Sequence, residues 1–193
     1  MKNLFLVVSF SSFLLSNLVA QTSEKIIGVY ENHNDFDSGK LSYAIDCNIG
    51  KNKIILNDLL NKSYITIKRN DSVYKIRKKT LYGYETCGTQ VYRFNGKREL
   101  LLLNPGEEIL IYKLLNARIA DDSKINVTNK YFCINDSSSP EKLTIKNLKN
   151  AFTGNDKFRR LVDANFKYNM ELGTFDNENH IFKINSLLKE SMH

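Results

Sequence analysis

The chain has 193 residues, a formal net charge of +7, three cysteines, three histidines and no tryptophan. A chain of this length fits one domain and buries roughly 70% of its unfolded surface, so it builds a core without staples. Three cysteines at wide, unpatterned spacing give no disulfide framework, and no stretch beyond the amino terminus approaches the about 20 apolar residues of a bilayer span.

Lys2 is the only charge in the first 23 residues and precedes the apolar stretch Leu4–Leu15. Small and polar residues follow, ending Leu18-Val19-Ala20 before Gln21. A positive start, a short apolar region and a small residue at the exit form an export signal over residues 1–20. No cysteine follows the apolar run, which argues against a lipid anchor. Cleavage would leave residues 21–193 as one α+β domain of 173 residues with a net charge of +6, periplasmic or secreted. In an oxidising compartment one cysteine pair closes and one thiol stays free. Cys47 and Cys133 have apolar neighbours and read as core residues, while Cys87 sits in the turn-like Glu85-Thr86-Cys87-Gly88; which two pair is not legible.

Residues 21–136 form a β-rich part. Alternating or apolar runs predict strands over Ile26–Glu31, Ser42–Cys47, Lys53–Asn57, Tyr64–Arg69, Ser72–Lys78, Gln90–Phe94, Arg98–Leu103, Ile109–Leu114 and Tyr131–Ile134. The short connections suit antiparallel neighbours, so the fold expected is α+β. Its antiparallel, largely meandering and curved sheet has about seven to nine short strands, with about three carboxy-terminal helices packed on it. A two-residue turn at Asn70-Asp71 pairs 69 with 72 and continues to 64 with 77. Ile65, Ile67, Tyr74 and Ile76 then share one face, and Tyr64, Thr66, Lys68, Val73, Lys75 and Arg77 the other. Around Asn95-Gly96 a three-residue loop is preferred, pairing Arg93 with Glu99 and Tyr92 with Leu100.

The chain changes character at Ser137-Ser138-Ser139-Pro140, and residues 141–193 read as helical. Thr144 caps a first helix presenting Ile145, Leu148 and Phe152, with Gly154 as its C′ stop. Asn155 or Asp156 starts a second, with Phe158, Leu161, Val162 and Phe166 on one stripe and Gly173 as its end. A third covers Asn179–Glu190, with His180 in its first turn and Ile181, Ile184 and Leu188 inward. Single apolar stripes require a partner, and the sheet supplies it.

Chemistry-bearing motifs are sparse. There is no His-Glu-x-x-His arrangement, no Gly-x-Ser-x-Gly elbow and no phosphate-cradling glycine loop. Asp35-x-Asp37-x-Gly39 resembles the opening of a calcium loop, but the closing glutamate is missing, and an ordinary acidic loop is the plainer reading. Cys87 with His33, or Asp35 and Asp37 with His33, would suit a small secreted hydrolase. A protein inhibitor or chaperone acting on another exported protein is a further alternative. The basic side says more. From Lys62 to Lys79 there are seven positive charges and one acid, Asp71. The hairpin register sends Lys68, Lys75 and Arg77 out from one sheet face with Tyr64 beside Arg77. That stripe suits an anionic lipid or glycan of the envelope, and a solvated outer face is the alternative. Nucleic acid is a poor partner for an exported chain, and nothing in the sequence calls for a cofactor.

Gly28-Val29-Tyr30 with Asp35-Phe36, then Tyr82-Gly83-Tyr84, Tyr92-Arg93-Phe94, Leu148-Lys149-Asn150-Ala151-Phe152 and Asp163-Ala164-Asn165-Phe166, give the chain a further likeness. It resembles an uncharacterised family of short exported proteins of Bacteroidota. The resemblance implies a Gram-negative envelope setting and no functional residues. The reading as a whole is a non-catalytic envelope protein.

Overall fold

The computed structural model describes residues 25–56, 62–114, 129–135 and 137–193. The export signal and Asn57 lie outside the described residues. The β-rich part runs β1 (Ile26–Tyr30), helix α1 (His33–Asp37), β2 (Ser42–Asp46), β3 (Lys53–Ile55), β4 (Tyr64–Arg69) and β5 (Ser72–Arg77). A 3-10 turn at Lys78–Thr80 leads to β6 (Gly83–Glu85), β7 (Val91–Asn95), β8 (Arg98–Leu102), β9 (Leu110–Leu114), β10 (Lys130–Cys133) and β11 (Glu141–Lys142). Helices α2 (Ile145–Ala151), α3 (Asp156–Asn165) and α4 (Lys183–Ser191) follow, with a short hairpin of β12 (Phe175–Asp176) and β13 (Ile181–Phe182) before the last. The class is α+β with a meandering antiparallel sheet.

An eight-stranded sheet runs in the order β11-β10-β9-β8-β7-β6-β1-β2, while β3, β4 and β5 form a separate three-stranded sheet. From β6 to β11 each strand lies beside its predecessor in sequence. The excursion β3–β5 leaves after β2, and the chain rejoins the large sheet at β6, against β1. Directly opposed residues share a face. The succession Val29, Tyr84, Tyr92, Leu101 therefore marks one face, on which Ile111 and Phe132 continue. The three-stranded sheet packs Ile65 and Ile67 onto the Val29–Tyr92 end of it. The helices pack Leu148, Phe158, Val162 and Leu188 onto the Ile111–Phe132 end. Two different layers thus share one face of the large sheet.

Between them lies a buried ion pair. Lys78 Nζ is 2.6 Å from Glu99 Oε1, each side chain 2% exposed, and the Tyr84 hydroxyl donates to Glu99 Oε2 at 3.2 Å. Helix α4 is fixed by an amide clamp: Asn185 accepts from Ile109 N–H at 2.8 Å and donates to Ile109 C=O at 2.9 Å. Asn104 gives the same treatment to the β9 backbone, accepting from Ile111 N–H and donating to Ile109 C=O. The opposite face of the large sheet carries Leu100, Leu102, Leu110, Tyr112, Tyr131 and Cys133, with Phe36 of α1 against it. Arg93 is buried there over the Tyr82 ring, donating to Cys133 Sγ at 3.1 Å and to Ser138 C=O at 2.7 Å. That bond pins the serine-rich connection to the sheet.

The Asn70-Asp71 hairpin has the predicted register throughout, from Arg69–Ser72 to Tyr64–Arg77. Asn70 and Asp71 both have positive φ, as a type I′ turn requires. The next hairpin differs from the expectation. Asn95 pairs with Arg98, Phe94 with Glu99 and Arg93 with Leu100, so the turn is Gly96-Lys97. Gly96 alone has positive φ, the type II′ pattern, and one residue of shift turns Glu99 toward Lys78 and Arg93 to the other face. Helices α2 and α3 start as predicted, capped by Thr144 accepting from Asn147 N–H and Asn155 accepting from Phe158 N–H. Their ends differ: α2 closes at Phe152 rather than on Gly154, and α3 closes at Phe166, well before Gly173. The third helix starts at Lys183, because His180 takes positive φ in the turn between β12 and β13.

Strand β6 has no counterpart among the expected strands, and Gly83 is its key residue. A Cβ there would lie inside the contact distance of the Tyr92 carbonyl oxygen on β7, so the strand approaches only without a side chain. Gly83→Ala is expected to destabilise by about 1–3 kcal/mol, the range for overpacking, seen as a lower urea midpoint at unchanged slope. Lys78→Met strands Glu99 as a buried charge and is expected to lose about 3–5 kcal/mol, whereas Lys78→Met with Glu99→Leu recovers at least half. Chemical denaturation of the two variants beside the parent checks this, and equal losses in both would contradict it.

Candidate functional site: the cationic face of the three-stranded sheet

The three-stranded sheet covers the large one with Ile54, Ile65, Ile67 and Ile76, so strand alternation sends the remaining positions outward. Those positions are Lys53 and Ile55 on β3, Tyr64, Thr66 and Lys68 on β4, and Val73, Lys75 and Arg77 on β5. No acid stands among them. Cross-strand pairing arranges them in rows. Lys53 lies opposite Lys68, which lies opposite Val73; Ile55, Thr66 and Lys75 form the next row, and Tyr64 and Arg77 the third. Lys53, Lys68, Lys75 and Arg77 are all exposed, and none has a carboxylate partner among the described residues. The Tyr64 ring lies under two ammonium groups, Lys62 Nζ at 5.6 Å and Lys75 Nζ at 5.7 Å from its centroid.

Directly opposed like charges on a sheet are unfavourable. The contrast with Lys113 and Lys130, opposed between β9 and β10, is informative. Lys130 escapes by donating to Gly173 C=O at 3.3 Å, and burial, helped by Lys113, lowers its pKa. Among the described residues Lys53 and Lys68 have no such outlet. Beside them the Asn70 N–H donates to Asn52 Oδ1 at 3.0 Å, tying the hairpin tip to the start of β3. The tie brings Lys51 and Lys53 against Lys68 and Arg69 around a cavity of roughly 340 Å³, with Asp71 and Val73 on its rim.

All four predicted surface residues, Tyr64, Lys68, Lys75 and Arg77, therefore share one face, and Lys53 joins them from a strand whose role the sequence hid. The connection between β3 and β4 is long, so no tight turn fixes their register. The charge run itself is split: Lys78 turns inward to Glu99 and is no part of the surface.

The acidic segment is not a loop but helix α1, capped by Asn32 accepting from Asp35 N–H. Asp35 and Asp37, two residues apart on a helix, point to different sides. Asp35 meets Lys40 at 3.3 Å and Asn32 at 2.8 Å, while Asp37 Oδ2 lies 3.2 Å from His33 Nδ1. His33 and Asp37 share a second cavity of roughly 340 Å³ with Glu107 and Glu108, two carboxylates the sequence did not single out. Among the described residues no group of three or more His, Cys, Asp or Glu is placed to hold a metal ion. Cys87 forms a disulfide with Cys47, Cα to Cα 5.8 Å, and so offers no thiol nucleophile in this state; Cys133 is the buried cysteine outside the bridge. The bridge joins β2 to the turn after β6 across β1. No helix among the described residues is long and apolar enough to cross a membrane. No family model, no curated protein and no solved structure matches the chain.

Helix α1 is held by aromatic contacts, Phe36 edge-on to Tyr30 at 5.2 Å and stacked on Tyr82 at 5.3 Å. Burial, then the neighbouring Glu85 carboxylate and its hydrogen bond, push the Tyr30 phenol up to about 12. The folded pKa exceeds the ordinary value of 10.0, so the neutral phenol's contribution is fully present below pH 10 and lost as pH rises through 12. Stability is expected to fall across that window, and Tyr30→Phe to flatten the fall, as measured by urea denaturation at pH 9, 10, 11 and 12.

Proposed function

We propose that this chain is an exported, non-catalytic protein of the cell envelope whose three-stranded sheet binds an anionic partner through its outer face. One observation carries the reading. Lys53 and Lys68 stand directly opposed, with Lys75 and Arg77 beside them, and no acid stands among the described outward positions of the three strands. Such an arrangement costs self-repulsion in the free protein and is relieved when an anion lies across it. The ammonium groups are point charges without the fork geometry of arginine, which suits phosphate or sulfate oxygens approached from several directions. The Cys47–Cys87 disulfide supports an oxidising compartment, in keeping with the amino-terminal export pattern and the likeness to short exported proteins of Bacteroidota.

The test compares the protein with a Lys68→Glu, Lys75→Glu, Arg77→Glu variant. Dextran sulfate and vesicles of phosphatidylglycerol or phosphatidylcholine are offered from 50 to 500 mM salt. All three positions are exposed, so the variant is expected to fold as the parent does. Each basic residue near an anionic surface contributes about 1 kcal/mol, so affinity for the anionic probes is expected to fall by at least about 100-fold. Binding by the parent should itself weaken as salt shortens the Debye length. Equal binding by parent and variant, or binding by neither, would remove the proposal.

A further inference from the structure

On the reading just given, we infer that the anionic partner is a lipid bilayer surface, with Val73 and Ile49 entering its acyl boundary while the lysines meet the headgroups. Charge alone does not separate a membrane from a soluble polyanion; the apolar residues set among the charges do. Val73 is 58% exposed and stands in the same row as Lys53 and Lys68. Ile49 is 46% exposed and precedes Gly50, which lines the cavity shared by Lys51, Lys53, Lys68, Arg69 and Val73. A β-branched residue left bare among cations gains nothing from water or from a hydrated glycan. It gains transfer free energy where headgroup gives way to hydrocarbon.

Three further features fit that depth. The residues from Lys68 to Val73 are exposed throughout, so the hairpin tip projects. Tyr64, an apolar ring with a polar end, stands on the same face under Lys62 and Lys75, as interfacial aromatic residues do. The pairing also orients the molecule. Tyr30, one residue from Val29 along β1, faces away from the small sheet, and α1 with His33 and Asp37 packs on that side. The acidic cavity is thereby carried on the far side of the large sheet from the cationic face. The protein presents its basic side to an anionic surface and its acidic side away from it. The cavity beside Lys53 and Lys68 then takes a lipid phosphate, and the apolar pair supplies the component that salt does not screen.

The test uses phosphatidylglycerol vesicles and dextran sulfate with an Ile49→Ser, Val73→Ser variant, whose charge is that of the parent. Met192→Ser, an exposed change at the end of α4, is the control. Vesicle affinity of the double variant is expected to fall at least tenfold, with the remaining binding fully released by 500 mM salt. Its affinity for dextran sulfate and the vesicle affinity of the control should stay within twofold of the parent. Unchanged vesicle binding by the double variant would overturn the insertion and leave the anion reading standing. Binding of dextran sulfate but not vesicles by the parent would overturn the lipid assignment in the same way. Binding of neither by the parent would bring down the anion reading itself.

Discussion

The ion pair between Lys78 and Glu99 is the constraint on which the arrangement of layers depends. Lys78 follows the last residue of the small sheet, and Glu99 sits in the middle of the large one, so their contact sets where one lies on the other. Two charges at 2.6 Å with almost no exposure add little net stability, because each loses its hydration on burial. Their effect is on alternatives. Any packing that separates them leaves a charge in an apolar seam, which is far costlier than an imperfect apolar fit. The Tyr84 hydroxyl completes the site from β6, so three separate segments converge on it.

That seam explains why the cationic face looks outward. The three-stranded sheet has one apolar side, carried by Ile54, Ile65, Ile67 and Ile76, and Lys78 fixes that side inward. The charged side has nowhere to go but solvent. On the large sheet the same logic divides two covers: isoleucines of the small sheet at one end, phenylalanines and leucines of the helices at the other. The second cover is held differently. Asn185 and Asn104 treat the β9 backbone as another strand would, satisfying amide groups where a helix rather than a strand packs beside them. A buried backbone group without a partner costs about 1–3 kcal/mol, so Asn185 fixes α4 in position as well as in contact, and Asn104 holds the backbone that it grips.

The disulfide and β6 make the topology possible. The excursion through β3, β4 and β5 separates β2 from β6 by some length of chain, yet β1 takes both as neighbours. Gly83 lets β6 come close to β7, and Cys47 to Cys87 closes the other side. The result is a continuous sheet that carries an added layer without breaking its hydrogen-bond ladder.

Local pattern determined a good deal. The β4–β5 register was legible because a two-residue turn leaves one pairing that sorts Ile65 and Ile67 from Lys68 and Lys75, and side-chain alternation then makes the cationic stripe unavoidable. Helix starts were legible because Thr144 and Asn155 cap with their own side chains. Features that need a second segment were hidden. Lys53 joins the stripe only through a pairing across a long connection, and Lys78 leaves it because Glu99, distant in sequence, draws it inward. The β7–β8 register differs from the three-residue loop because the pairing of Arg93 with Glu99 gives way to distant partners: Arg93 opposes Leu100 and reaches Tyr82 and Cys133, while Glu99 turns to Lys78. Strand β6 is too short for periodicity to register, and His180 leaves the helix because β13 pairs with β12. Sequence by itself set the stripe, the caps and the fold class, since these follow from neighbours a few residues apart. The buried charge, the cysteine pairing and the fourth cation were decided by tertiary structure, because each depends on which distant segment arrives alongside.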